Sequence, residues 1–217
     1  MTEANEQKIG ILGGSFNPVH IGHRILARDA MEAYGLCRVL FVPCARPAHK
    51  PESALAHAAH RVAMLERALA DNPAFGISHI ELDRAGISYA ADTVTALRDA
   101  QPDVAWSFII GADTLQELHT WREISTLVEQ CRFITMRRPG QPDPRELHRR
   151  IRLPPPWPDQ LMDGIFDGHQ IDISSTEIRK RVAEARSIRY LVPNGVEAYI
   201  NQHGLYTREN SISKPKN

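Results

Sequence analysis

Ile9-Gly10-Ile11-Leu12-Gly13-Gly14-Ser15-Phe16-Asn17-Pro18-Val19-His20-Ile21-Gly22-His23 is the stretch that decides the fold. Its apolar start reads as a first strand, Lys8–Leu12, and the residues after it, Arg24–Tyr34, read as a helix. A glycine turn and two imidazoles therefore stand at a helix N-terminus, at the mouth of a parallel sheet. Backbone N–H groups and the helix dipole favour anions at such a point. Gly13 and Gly14 let the backbone approach a ligand closely. His20 and His23 can donate hydrogen bonds to phosphoryl oxygens, and Gly22 between them leaves room for that ligand. Their spacing also fits a metal pair, but no third neighbouring Cys, His or carboxylate completes a zinc set, so no metal site is assigned.

Working outward, short apolar runs alternate with helical stretches. Further strands are expected at Val39–Pro43, Gly76–Glu81, Trp106–Ile110 and Arg132–Met136, with a short one at Gln170–Ile171. Helices are expected at His57–Asp71, Ala91–Ala100, Thr114–Leu118, Ile124–Glu129, Ser175–Ala183 and Val196–Asn201. Val39-Leu40-Phe41-Val42 and Ser107-Phe108-Ile109-Ile110 lack a two-residue alternation. Strands covered on both faces look like this, which points to a parallel sheet between helical layers. The fold class is α/β, a doubly wound and mainly parallel sheet with a small C-terminal helical part. The proline-dense segment Pro139–Pro158 reads as a surface excursion around one short helix near Arg145–Arg150.

A chain of 217 residues, 42% hydrophobic and 24% charged, fits one soluble globular domain, taken as residues 1–206, with a disordered tail at 207–217. Its 26 basic and 26 acidic residues balance. That excludes a nucleic-acid backbone or an anionic membrane as the main partner, and any phosphate must be held by local cations. The cysteines Cys37, Cys44 and Cys131 form no C-x-x-C pair, which places the chain in a reducing, cytoplasmic setting. No secretory signal and no membrane-spanning run is read from the sequence.

Other segments carry polar groups where open α/β sheets bind ligands. Ser174-Ser175-Thr176-Glu177-Ile178-Arg179 reads as a capped helix start whose N–H groups, hydroxyls and guanidinium form a second anion site. Ala45–Lys50 supplies Arg46 and Lys50 after the second strand. Gly111-Ala112-Asp113 follows the fourth, where Asp113 either caps a helix or accepts from a ribose. Trp121 is either core or a flat face for a ring. His57 and His60 read as a basic-edged helix face, and Glu81 and Asp83 are assigned no acid–base role.

The first stretch resembles the G-[ST]-F-[ND]-P-x-H-x-G-H signature of the nucleotidylyltransferase superfamily, and Ile173–Arg179 resembles its I-S-S-T-x-I-R signature. Glu81–Thr93, Phe108–Trp121, His49-Lys50 and Tyr190–Tyr206 are similar to segments of bacterial nicotinate-nucleotide adenylyltransferases. Ala48 stands where that family has a second proline, and Ala90 where it has threonine. The likeness covers nearly all of Ile9–Tyr206 and implies a Rossmann-like nucleotidylyltransferase fold.

The reaction it implies is adenylyl transfer from ATP to nicotinate mononucleotide, giving nicotinate adenine dinucleotide and pyrophosphate. His20, His23 and Arg179 would be catalytic. Gly13, Gly14, Ser15, Phe16, Gly22, Gly111, Asp113, Ser175 and Thr176 would bind ATP. Lys50, Ser88, Tyr89, Thr93, Trp121 and Arg138 would bind the mononucleotide. Mg²⁺ would arrive with ATP, bridging phosphate oxygens without a dedicated protein cage. A homo-oligomer is compatible with this reading. The alternatives are another phosphate acceptor, nicotinamide mononucleotide among them, and a non-catalytic nucleotide sensor. A dinucleotide-binding dehydrogenase lacks its G-x-G-x-x-G, and a P-loop kinase its G-x-x-x-x-G-K-[ST].

Overall fold

The computed structural model describes residues 7–47, 55–84, 86–137, 143–169 and 171–208. Its strands are β1 (Gln7–Gly14), β2 (Arg38–Pro43), β3 (Arg46–Pro47), β4 (Phe75–Ile77), β5 (Ile87–Ser88), β6 (Val104–Gly111), β7 (Arg132–Arg137) and β8 (Ile165–Asp167). Its helices are α1 (Ile21–Tyr34), α2 (Ala58–Leu69), α3 (Ile80–Arg84), α4 (Ala90–Ala100), α5 (Ala112–Glu117), α6 (Ile124–Gln130), α7 (Pro144–Arg150), α8 (Trp157–Met162), α9 (Ser175–Ala183) and α10 (Asn194–Gln202). No helix among the described residues is long and apolar enough to cross a membrane.

Six parallel strands form the main sheet in the order β4-β2-β1-β6-β7-β8. The chain winds outward from β1 on one side, then returns to β6 and winds outward on the other. The crevice where this order reverses lies at the carboxyl ends of β1 and β6, where such sheets receive ligands. Both faces of the sheet are buried. Leu12, Val39, Phe41, Ile109 and Ile134 join one apolar layer with α1, α2 and α10. Ile9, Ile11, Val42, Phe108, Ile110 and Phe133 join the opposite layer with α4 and α6. Successive residues Phe108, Ile109 and Ile110 thus enter alternate cores, which is why their sequence shows no polar alternation.

Several expected boundaries shift. The strand expected at Gly76–Glu81 is β4, Phe75–Ile77, and the helix α3 takes up the rest from Ile80. β4 is an edge strand paired only to β2, and Glu81 and Asp83 fall in the first turn of α3, where the helix dipole favours acids. No strand forms at Ile171; the sixth strand is β8, paired to β7 from Thr135↔Ile165 to Arg137↔Asp167. Gln170 lies outside the described residues. The proline-dense excursion carries two helices, α7 and α8, not one. Pro158 sits in the first turn of α8, where the missing N–H costs nothing. The β3–β5 pair is two residues per strand and was not expected. At the C-terminus, Thr207 Oγ1 donates to the Gly204 carbonyl at 3.1 Å, and residues 209–217 lie outside the described ones.

Candidate active site

The β1–α1 turn is built around His20, the N-cap of α1, with extended backbone at φ −143 and ψ 172. The His20 and His23 rings stack with centroids 3.7 Å apart and planes 30° from parallel. The His20 N–H donates to His23 Nδ1 at 3.2 Å. That bond occupies the Nδ1 lone pair, so neutral His23 carries its proton on Nε2. Phe16 is 1% exposed and meets the His23 ring edge-on at 5.1 Å. Its side chain belongs to the core under the turn. A Cβ at Gly22 would stand 3.1 Å from His20 Nδ1 and 3.3 Å from Ile171 Cγ2, so the glycine lets those two side chains pack close to it.

The start of α9 is tied to this turn from the far end of the chain. Ser174 caps α9 by accepting from the Glu177 N–H at 3.1 Å. Ser175 Oγ donates to the Pro18 carbonyl at 2.8 Å, and Arg179 donates to the Asn17 carbonyl at 2.7 Å and to Thr176 Oγ1 at 3.4 Å. Two helix N-termini therefore face one cavity of about 390 Å³, walled by His20, Gly22, Ser174, Ser175, Thr176 and Arg179. A second cavity of about 500 Å³ is walled by Glu81, Ser88, Tyr89, Gly111, Thr114 and Trp121. Gly14, Ser15, His23 and Leu26 line both, so the two are lobes of one cleft with His23 at the waist.

Within the larger lobe, half-buried Trp121 packs edge-to-face on Phe108 at 5.7 Å and also borders the cavity, so it serves core and cleft together. The Arg122 guanidinium lies 4.7 Å over the Tyr89 ring and 3.0 Å from Glu123. Gly111 opens freely to the lobe, with no atom within 4 Å of where a Cβ would be. Asp113 is exposed on the first turn of α5 and lines neither lobe. Thr93 is 1% exposed and stands behind the wall. Its hydroxyl donates to Glu81 Oε1 at 2.7 Å, and it is Glu81 that borders the lobe. Lys50 and Arg138 lie outside the described residues. The neighbouring Arg137 makes two 2.8 Å bonds to Asp167, which hold that carboxyl below the usual carboxylate range.

Sequence reasoning missed the groups beneath the turn. Asn17 Oδ1 accepts from the Ala56 N–H at 3.0 Å and from the Tyr206 hydroxyl at 2.8 Å. Burial pushes the Tyr206 hydroxyl above the ordinary phenol range, against the pull of Arg179 and Arg61. Arg61, 1% exposed, donates to three carbonyls under the cleft. Asn17 and Tyr206 stood inside segments quoted for their resemblance, but with no role assigned; Arg61 gave no local signal, because two of its three acceptors are distant in sequence.

Comparison with known proteins agrees with this geometry. The family model described as cytidylyltransferase-like matches residues 11–181, a span that holds both helix N-termini. A protein of Trichlorobacter lovleyi named as a nicotinate-nucleotide adenylyltransferase is 42% identical, covering 92% of this chain and 99% of its own. One of Synechococcus sp. bearing that name is 40% identical, covering 94% and 97%. The chain belongs to the nicotinate-nucleotide adenylyltransferase family. The fold agrees as well. The Plasmodium falciparum nicotinic acid mononucleotide adenylyltransferase complexed with NaAD superposes with a TM-score of 0.74 at 18% identity, covering 92% of this chain and 97% of that one. In this chain the doubly wound sheet places the histidine turn and the α9 start in one cleft.

Proposed function

We propose that the protein transfers the adenylyl group of ATP to nicotinate mononucleotide, releasing pyrophosphate. The observation that carries this reading is the single cleft with two lobes: one rimmed by helix N-termini, imidazoles and a guanidinium, the other by an aromatic wall. The triphosphate suits the smaller lobe, where helix N–H groups, Ser175, Thr176 and Arg179 can hold the outgoing pyrophosphate. The mononucleotide suits the larger lobe, its pyridine ring against Trp121 and its ribose near Ser88 and Tyr89. The α-phosphorus then falls at the waist, beside Gly14, Ser15 and His23.

In-line attack by the mononucleotide phosphate needs position and charge neutralisation, not a covalent nucleophile. His23 Nε2–H and the His20 ring would donate to the α-phosphoryl oxygens as charge develops. No described carboxylate lines the smaller lobe, so Mg²⁺, which supplies charge neutralisation when bound, would be held by phosphate oxygens and water. Gly13, Gly14, Ser15 and the Phe16 backbone would cradle the phosphates. Gly111 would face the adenosine, with Asp113 near it on α5. Thr93 would act through Glu81.

The test is the formation of dinucleotide and pyrophosphate from ATP with the acid and the amide mononucleotide in parallel. The acid should be turned over and preferred. Preference for the amide would replace the acceptor, and absence of pyrophosphate release with either would favour a nucleotide sensor. In the same assay Trp121→Ala should raise KM for the mononucleotide about tenfold, a loss of stacking of about 1.4 kcal/mol, with KM for ATP little changed. An unchanged KM for the mononucleotide would leave Trp121 to the core alone.

A further inference from the structure

We propose that Arg61 is a positioning residue of this transfer, the strut that keeps the two lobes in mutual register. The proposal rests on the adenylyl-transfer reading above. Arg61 is carried by α2, outside both cavity walls, and its side chain is among the largest fully buried ones. Among the described residues it forms no ion pair with a carboxylate. Its guanidinium instead donates to Ser15 O at 3.0 Å, Cys44 O at 2.7 Å and Ala56 O at 3.1 Å. A buried cation that spends its donors on carbonyls holds them firmly, because leaving any donor unmade is costly.

Each carbonyl belongs to a different part of the cleft. Ser15 lines both lobes. The Cys44 carbonyl shares its peptide with Ala45, whose N–H donates to Ser88 Oγ at 3.0 Å, in the mononucleotide lobe. A trans peptide points its C=O and N–H in opposite directions, so Arg61 grips one side of that unit while Ser88 hangs from the other. Ala56 donates its own N–H to Asn17 Oδ1, and the Asn17 carbonyl receives Arg179 in the phosphate lobe. One planar fork thus links the waist, the acceptor lobe and the pyrophosphate lobe. Losing it should leave each lobe able to bind its own ligand while spoiling the alignment between them.

Arg61→Lys and Arg61→Met separate these effects. Lysine keeps the charge and the stem but lacks the planar fork that reaches three acceptors. The experiment measures kcat, the dissociation constants of ATP and of nicotinate mononucleotide taken separately, and Tm. For Arg61→Lys, kcat should fall about 100-fold while each dissociation constant stays within about threefold of wild type. Arg61→Met should lower kcat at least as far; should it fail to fold, the lysine variant decides. A kcat within twofold of wild type, a loss matched by weaker binding of both ligands, or failure of both variants to fold would overturn the proposal. A wild-type protein that binds both ligands and makes no dinucleotide would defeat the underlying reading instead, before any variant is measured.

Discussion

His20→Ala should lower kcat by about 10²–10⁴-fold, the range expected when a group that donates to developing charge is removed. The structure sharpens the reason. His20 is 5% exposed, starts α1, and stacks on His23 at the waist of the cleft. Removing its ring takes away one donor and frees the second imidazole from its stacking partner. The fold should survive, because the backbone N–H that donates to His23 Nδ1 remains in alanine. A stability loss of about 1–2 kcal/mol, mostly from the vacated ring volume, is the expected cost. Turnover measured beside thermal unfolding decides the matter. A kcat loss under tenfold in a folded variant would remove His20 from the chemistry.

The largest effect on stability should come from Gly164→Ala. A Cβ at Gly164 would lie 2.0 Å from the Phe133 carbonyl oxygen and 3.1 Å from its carbon. Both are backbone atoms of β7, so no side chain can swing aside. Gly164 O also accepts from the Thr135 N–H at 2.8 Å, at the start of the β7–β8 pairing. The methyl group must therefore push β8 off the sheet edge or bend β7. A cost of about 3 kcal/mol is expected, the upper end for overpacking, which for a chain of this size lowers Tm by roughly 6–12 °C. Because β8 leads into α9, pyrophosphate affinity should fall as well. A Tm within about 2 °C of wild type would mean that the strands separate at little cost.

What the sequence revealed follows from how local each signal is. The turn from β1 into α1 and the start of α9 are continuous stretches whose residue types state their geometry, and both proved to rim one cleft. The parallel sheet was legible because both faces of β2 and β6 are buried, which erases alternation. Short elements were not legible. β3 and β5 hold two residues each and β4 only three. α8 was hidden by prolines that a helix accepts only in its first turn.

The site divides in the same way. His20, His23, Ser175, Thr176 and Arg179 stood in motifs and meet in one lobe, and Trp121 meets the other. Gly22 lines the smaller lobe and also leaves room for the His20 ring. Thr93 and Phe16 were assigned to ligands, whereas one supports Glu81 and the other fills the core. Arg61 and Tyr206 reach partners 46 and 189 residues away, contacts that only the fold creates. Both brace residues at the cleft surface; Tyr206 stood in a segment quoted for its resemblance, whereas Arg61 left no motif or spacing to read.

In the proposed reaction both substrates share one cleft with the α-phosphorus at its waist. A crystal structure with a non-hydrolysable ATP analogue and nicotinate mononucleotide bound together tests it most directly. The attacking phosphate oxygen should lie about 3–3.5 Å from the α-phosphorus, in line with a pyrophosphate group seated at Arg179, and the pyridine ring against Trp121. A triphosphate lying away from His20, His23 and Arg179, or two ligands in separate cavities, would contradict it.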